Sequence, residues 1–209
     1  ASSLAFADRN TYIADSDFIP VPVGGMLDPS YLQRRANQIP VFKAGGKRFP
    51  GMPGPVANLN LAPSPPSKGI STSHISIVDS DGNSISMTSS IENAFGSRLM
   101  VGGFLLNNQL TDFSFMPTRN GAPVANKIAP GKRPKSSMAP TLVFDGSGKL
   151  VMVIGTPGGS RIIGYVVKTI IAVLDWNFPI NKAINLPNFT NRNGAIELER
   201  GTQLETLKI

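Results

Sequence analysis

A threonine at the start of a predicted strand is the first residue in this sequence that could carry chemistry. Thr72 lies between Ser71 and Ser73, where a Pro- and Gly-rich segment ends. An irregular, accessible segment can be cut without disturbing a core. A cut before Thr72 would leave a hydroxyl nucleophile and a free α-amine, with a reference pKa of about 7.7–8.0, on one residue. At neutral pH that amine can be an unprotonated base, so the pair needs neither His nor Cys, although the pattern also fits an ordinary polar strand start.

A second candidate is the segment Thr156–Ser160, which places Gly158 and Gly159 between an apolar strand and a long predicted helix. Glycines permit close backbone approach, and the N–H groups at a helix N-terminus attract anions. The segment fits an oxyanion or carboxylate site, and it also fits a plain strand-to-helix turn. Its spacing matches neither a dinucleotide-binding loop nor a phosphate-binding loop, so nucleotide binding is not expected.

Two polar segments offer groups that could hold a small molecule. In Asn107–Asp112, amides and a carboxylate follow a short apolar strand, and they could bind an amine-bearing ligand or form an ordinary loop. Lys132–Met138 contains three cations and then Ser136 and Ser137. This segment is either a solvated run of charges or a turn that faces an anion.

The scarce residues exclude several classes of chemistry. The chain has no Cys and a single His, His74, so disulfides, thiolate chemistry and multi-histidine metal centres are excluded. Any Ser-His-Asp triad would have to include His74. We therefore expect no metal and no cofactor.

The net charge of +7 suggests a nucleic-acid partner at first sight, but the distribution of charge argues against one. The segment 40–71 holds four cations and no acidic residue, and the rest of the chain is nearly balanced. We expect no nucleic-acid binding and no membrane span, because the most apolar stretch, Ile162–Leu174, is too short to cross a bilayer.

The elements that would position these residues follow from capping and periodicity. Residues 1–39 predict a loop and then a short helix that begins at Pro29, with Asp28 as its N-cap. Residues 40–71 include seven prolines and five glycines, which predicts an exposed connector without a core; a basic binding arm is the alternative.

Beyond the connector the pattern is regular. Residues 73–79 and 84–91 alternate polar and apolar residues around the turn 80–83, which predicts a β-hairpin. A second hairpin is expected over 141–155, and a helix over 160–176. A short strand at 104–106, a helix over 180–186 and a strand near 195–199 complete an α+β layered domain.

Five blocks of this sequence, in order, resemble the gamma-glutamyltransferase family. They read TSHISIVDSDGN, SIENAFGSRLM, GGFLLNNQLTDFSF, APGKRPKSSMAPT and GTPGGSRI. Upstream, ADRNTYIADSDFIPVP resembles the end of the family's large subunit. The resemblance implies that residues 1–39 end the large subunit, 40–71 lead to a processing site, and 72–209 form most of the small subunit.

This resemblance implies a fold and a reaction. The fold would be part of an N-terminal-nucleophile hydrolase αββα sandwich, and the precursor would cut itself between Ser71 and Thr72. Thr72 would then take the acyl group from a γ-glutamyl amide such as glutathione and pass it to water or to an amino-acid or peptide acceptor. The remainder of the large subunit would be a partner, and the family implies a periplasmic or secreted location.

Site roles are carried over from the family by position. Ser90 would hydrogen-bond the nucleophile, and Gly158 and Gly159 would form the oxyanion hole. The substrate's amino group and neighbouring polar atoms would be held by Glu92, Gln109 and Asp112, and its α-carboxylate by Ser136 and Ser137.

Three features set this sequence apart from the common pattern. Ser73 replaces the second residue of the usual Thr-Thr pair, Glu92 stands where many members have Asn, and the family's carboxylate-binding Arg lies outside this chain. SIENAFGSRLM also resembles an acylase-like branch of the family. An acylase that acts on glutaryl or β-lactam side-chain amides therefore stays open, as does a catalytically silent binding module.

Overall fold

A computed structural model describes residues 1–42, 45–55, 59–65 and 71–207. By its internal contacts the chain divides into two units. The first comprises Ala1–Pro66, Leu110–Lys135 and Asn191–Ile196; the second comprises Ser67–Gln109, Ser136–Thr190 and Glu197–Ile209. The subunit boundary expected at Thr72 would be a cleavage of the chain, not a division by contacts, and it stays a prediction.

Three helices open the first unit: α1 (Ser2–Tyr12), α2 (Val23–Met26) and α3 (Pro29–Ala36). The predicted start of α3 is confirmed, because the Asp28 carboxylate accepts a hydrogen bond from the Tyr31 backbone N–H at 2.9 Å. This side chain satisfies one of the N–H groups that a helix start leaves without an intrahelical partner.

The prediction of a loop before α3 is wrong, because residues 2–12 form helix α1. Ala1 occupies its N-cap position without a side-chain hydrogen bond, and no acidic residue lies in its first turn. The helix is stabilised instead by tertiary contacts, as helical segments of this length generally are. Its Asp8 carboxylate accepts hydrogen bonds from Arg35 at 3.0 Å and from the Tyr31 hydroxyl at 2.8 Å, both in α3.

The expectation that residues 40–71 form an exposed connector holds for most of the described part, but it is wrong at Ala62 and Ser64. Ala62 and Ser64 are buried, at 6% and 4% exposure. Their backbone N–H groups donate to Pro123 O at 2.8 Å and Asn10 O at 2.9 Å. An irregular backbone can be buried where its polar groups find partners, and these two residues have them. Lys43 and Lys68, two of the four connector cations, lie outside the described residues.

Among the described residues, the strands form five two-stranded sheets, each made of strands that follow one another in the chain. In chain order they are β1 (Ser71–Val78) with β2 (Ser84–Glu92), β3 (Met100–Val101) with β4 (Phe104–Leu105), β5 (Thr118–Arg119) with β6 (Ala122–Pro123), β7 (Thr141–Phe144) with β8 (Leu150–Ile154), and β9 (Phe189–Asn191) with β10 (Ile196–Leu198). Both predicted hairpins, β1–β2 and β7–β8, are confirmed as antiparallel pairs.

The core of the second unit lies between β8 and the helix α4 (Ile162–Leu174). Met152 and Ile154 pack against Ile162 and Val166, and all four side chains are buried. The long helix predicted from apolar residues at helical spacing is confirmed, preceded by a short 3-10 turn over Gly159–Arg161. A shorter helix, α5 (Ile180–Ile184), follows. Within the described residues, no helix has both the length and the apolar character needed to cross a membrane.

The two faces of the β1–β2 hairpin differ in polarity, as the alternation predicts. Its apolar face carries four residues that are between 44% and 54% exposed: Ile75, Ile77, Ile85 and Met87. On the opposite face, the Ser86 hydroxyl donates to Ile154 O at 3.0 Å, and its oxygen accepts from Thr141 N at 3.1 Å. The polar face, which also carries Thr72, is therefore the one that contacts the β7–β8 hairpin.

Candidate active site

Thr72 and Ser90 lie opposite each other in the β1–β2 hairpin. They are paired in the strand register, and the Thr72 hydroxyl donates to Ser90 Oγ at 3.2 Å. Ser90 in turn donates to the carbonyl oxygen of Ser71 at 3.0 Å, and its Oγ accepts from the Glu92 backbone N–H at 3.0 Å. The predicted pairing of Thr72 with a second hydroxyl is present in the structure, at the peptide bond that joins Ser71 to Thr72.

An irregularity in the hairpin shapes this position. The register shifts between Ser71 and Thr72, so that Ser71 pairs with Glu92 while Thr72 pairs with Ser90. Such β-bulges bend a strand and redirect its side chains. Glu92 has a φ of 70°, an uncommon value for a residue other than glycine, and it is only 8% exposed.

Glu92 and Gln109, predicted to share one role, are in direct contact. The Gln109 side-chain amide donates to Glu92 Oε2 at 3.1 Å. Through Glu92 and Ser90, Gln109 is linked to Thr72. Four of the predicted site residues therefore form one hydrogen-bonded group: Thr72, Ser90, Glu92 and Gln109.

The glycine pair occupies the turn between β8 and α4. Gly158 and Gly159 have φ values of 138° and 57°, in the region that favours glycine. A Cβ on Gly158 would lie 3.1 Å from the ring of Tyr165. The Arg161 N–H donates to Gly158 O at 3.1 Å, which begins the helical turn. Backbone N–H groups at such a helix start can bind an oxyanion.

Contacts of His74 connect the strand of Thr72 with the segment that leads to the glycine pair. The ring packs on Gly155, and a Cβ at that position would overlap the ring. Its Nδ1 and Nε2 lie 2.9 Å from the hydroxyls of Thr88 and Ser76, respectively. Burial lowers the pKa of His74, which favours the neutral ring. His74 therefore makes structural contacts through both of its ring nitrogens.

The other predicted binding residues lie in two places. Ser136 and Ser137 belong to the second unit, ahead of β7, and Ser136 Oγ accepts from Met138 N at 3.0 Å. Asp112 belongs to the first unit, where its backbone oxygen accepts from the Asn126 side chain at 2.7 Å. Their proposed convergence on one substrate stays a prediction.

The interpretation of Lys132–Met138 as a solvated run of charges is wrong. Lys132 and Lys135 are each only 7% exposed. Lys132 Nζ donates to Ala125 O at 2.5 Å and to Lys127 O at 3.0 Å, and Lys135 Nζ donates to the Ser64 hydroxyl. Arg133 pairs with Asp15 at 2.7 Å, and its hydrogen bonds hold the pKa of that carboxyl well below its usual range. Both lysines of this segment are therefore buried, while the Arg133 side chain is 69% exposed and forms ion pairs with Asp15 and Asp17.

Asp112 lies near two cations of the first unit, Arg9 and Lys135, and it opposes the lowering of their pKa values. Burial is the main cause that lowers the pKa of Lys135 to about 7, and the nearby Arg9 adds to it while Asp112 opposes it. Burial likewise lowers the pKa of Arg9 to about 10, again opposed by Asp112. The sequence pattern predicts a loop at Arg9, although the residue lies in helix α1. The three neighbouring cations favour an exposed position for Lys135, and no local signal predicts its burial.

The described residues contain no group of three or more His, Cys, Asp or Glu side chains that could hold a metal ion.

Comparison with known proteins identifies the family. The family model for gamma-glutamyltranspeptidase matches residues 1–209, the whole chain. The glutathione hydrolase proenzyme of Escherichia coli (strain K12) is 35% identical over 221 residues, which cover 100% of this chain and 36% of that protein. The chain thus spans about a third of the length of this relative.

Solved structures agree with this result. A mutant of Helicobacter pylori gamma-glutamyltranspeptidase is 42% identical, with a TM-score of 0.50 over 56% of this chain and 66% of that chain. Cephalosporin acylase from Bacillus halodurans has a TM-score of 0.77 over 97% of this chain and 34% of that chain. Its 21% identity bears on the fold alone. The predicted α+β, N-terminal-nucleophile hydrolase fold is confirmed, and the chain belongs to the gamma-glutamyltranspeptidase family.

Proposed function

We propose that this chain forms the catalytic part of a self-processing enzyme that hydrolyses γ-glutamyl amides such as glutathione and transfers the acyl group to amines. The observation that carries the proposal is the hydrogen-bonded group at the Ser71–Thr72 bond. The names of the relatives, a gamma-glutamyltranspeptidase and a glutathione hydrolase proenzyme, support both the substrate class and a maturation step.

Self-processing would begin at Thr72. Its hydroxyl oxygen attacks the carbonyl carbon of Ser71, the C–N bond breaks, and the proton passes to the released amine. The Ser90 hydroxyl, 3.0 Å from the Ser71 oxygen, would stabilise the negative charge that develops there. Water then hydrolyses the resulting ester, which leaves a carboxylate on Ser71 and a free N-terminus on Thr72.

The same hydroxyl would then serve the reaction with substrate. The α-amine of Thr72, with a reference pKa of about 7.7–8.0, can take the hydroxyl proton at neutral pH. The oxygen attacks the γ-carbonyl, the amine of the substrate leaves with a proton, and a Thr-linked ester forms. Water or an acceptor amine then releases the acyl group. The N–H groups of the Gly158–Gly159 turn would stabilise the oxyanion in both steps.

Substrate recognition would use the polar residues around this centre. Glu92 supplies a carboxylate for the substrate ammonium, oriented by its hydrogen bond with Gln109. Asp112 would share that role, and Ser136 and Ser137 would donate to the α-carboxylate. The rest of the large subunit would complete the site. A periplasmic or secreted location is part of the proposal, on family grounds.

The experiment compares Thr72→Ala with Ser73→Ala in the complete protein. Ser73 is the adjacent hydroxyl residue and lies on the opposite face of β1, so it serves as the matched control. Intact mass should show an uncut Thr72→Ala chain, while wild type and Ser73→Ala are cut before Thr72. Hydrolysis of a γ-glutamyl anilide should fall by about 10³-fold or more in Thr72→Ala only. Cleavage or full activity in Thr72→Ala would contradict the proposal.

A glutaryl anilide, which lacks the α-amino group, separates the γ-glutamyl enzyme from the acylase alternative. A γ-glutamyl enzyme should prefer the γ-glutamyl anilide, because Glu92 and Asp112 would otherwise face no ammonium. Equal or faster hydrolysis of the glutaryl compound would favour an acylase.

A further inference from the structure

A fully buried asparagine in the first unit connects two segments that the proposed function assigns to substrate binding. Asn126 is 1% exposed and follows β6 in the chain. Its side-chain amide donates to the backbone oxygen of Asp112 at 2.7 Å, and its Oδ1 accepts from the backbone N–H of Lys135 at 3.0 Å. One amide group thus holds the main chain at Asp112 and at Lys135.

The surroundings of Asn126 make this link rigid. Its own backbone oxygen accepts from Ser114 N at 2.8 Å, two residues beyond Asp112. Ser114, Val124 and Ala125 are each 1% exposed, so the asparagine has little room to move. A buried amide with both ends engaged is costly to disturb, because each lost partner leaves a polar group unsatisfied.

The two segments have complementary roles in the proposed function, on which this inference rests. Asp112 would bind the substrate ammonium, and Ser136 and Ser137, which follow Lys135 directly, would bind the α-carboxylate. We propose that Asn126 is a positioning residue that holds the main chain at Asp112, and at Lys135 directly ahead of Ser136, in the conformation needed to prefer acyl groups that carry both charges.

The chemistry of the side chain explains why asparagine fits this position. The link needs one donor, toward a carbonyl oxygen, and one acceptor, toward an N–H group. Aspartate keeps the acceptor but presents a second oxygen to Asp112 O. Leucine has the same branching pattern but a larger side chain, and it removes both hydrogen bonds.

The test uses the ratio of kcat/KM for a γ-glutamyl anilide to kcat/KM for a glutaryl anilide, measured on the complete protein. Asn126→Leu should lower this ratio about 10- to 100-fold, because loosely placed binding groups lose much of their effect on a bound substrate. Asn126→Asp should also lower this ratio. Turnover of the glutaryl compound, which lacks the ammonium, should change much less.

Thr11→Val is the matched control. Thr11 is 2% exposed in the same unit, and its hydroxyl donates to Ala7 O within α1. The substitution also removes a buried hydrogen bond, but it should leave the ratio unchanged even if the melting temperature falls.

The outcomes separate this inference from the proposed function. If wild type fails to prefer the γ-glutamyl anilide, the proposed function is wrong. If wild type shows the preference and either folded Asn126 variant keeps it, the role of Asn126 is wrong. If Asn126→Leu does not fold, Asn126→Asp decides the test, because it preserves the shape of the side chain.

Discussion

The buried lysine beside the proposed carboxylate-binding serines should make the stability of the protein depend on pH. Lys135 is 7% exposed, its amine donates to the Ser64 hydroxyl, and burial lowers its pKa to about 7. In the unfolded chain the same amine has its ordinary pKa of 10.5. The substitution Lys135→Met tests this effect, because it keeps most of the side-chain volume and removes the charge.

The direction of the pH dependence follows from the number of protons that the folded and unfolded states bind. Below pH 7 both states carry the ammonium, and the folded state bears the full cost of burying it. Between about pH 7 and 10.5 the unfolded chain binds more protons than the folded one, so the free energy of unfolding rises with pH. The difference between the two pKa values corresponds to about 5 kcal/mol, as an order of magnitude.

The assay is urea denaturation of wild type and Lys135→Met from pH 6 to pH 10, followed by circular dichroism. The stability advantage of Lys135→Met over wild type should be largest at pH 6 and should shrink by several kcal/mol toward pH 10. Lys149→Met is the control for loss of a charge, because Lys149 is exposed in the β7–β8 turn. A stability difference between wild type and Lys135→Met that stays constant with pH would show that the folded protein does not lower the pKa of Lys135.

Two further substitutions test packing that supports the fold. Asp8→Asn should lower the free energy of unfolding by about 3–5 kcal/mol, because it leaves the buried Arg35 guanidinium without its carboxylate; a loss below 1 kcal/mol in urea denaturation would contradict this. Gly155→Ala should cost about 1–3 kcal/mol, because the added Cβ would overlap the His74 ring. Gly146→Ala, with nothing within 4 Å of its added Cβ, should change the melting temperature little, and equal effects of the two would rule out the His74 contact as the cause.

Local signals in the sequence were sufficient for the elements that carry the proposed nucleophile. Alternating residues on both sides of an Asp-Gly turn predict the β1–β2 hairpin, and the hairpin register by itself places Thr72 opposite Ser90. The periodicity of α4 and the Asp28 cap of α3 are equally local. Each depends only on residues that are near in the chain.

Features that depend on distant residues could not be predicted in this way. Helix α1 is held by Arg35, and the burial of Lys135 depends on Ser64, which lies 71 positions away. The positive φ of Glu92 occurs at the β-bulge, and no residue in the segment SIENAFG predicts it. For the site, the role assignments came from family resemblance, while the Glu92–Gln109 contact and the place of Asn126 came only from the structure.

The hydroxyl of Ser90 has a single hydrogen, and in the uncut chain it donates that hydrogen in a hydrogen bond to the Ser71 carbonyl oxygen. Toward Thr72 it therefore acts as an acceptor. The proposed cleavage turns that carbonyl into the carboxylate of a new chain end. When this chain end moves away, the hydroxyl hydrogen of Ser90 can turn toward the oxygen of Thr72, while the hydroxyl hydrogen of Thr72 turns toward its new amine. The hydrogen bond between the two side chains would reverse direction. A single backbone cut would thus convert Ser90 from the acceptor of a hydrogen bond from the attacking residue into the donor of one to it.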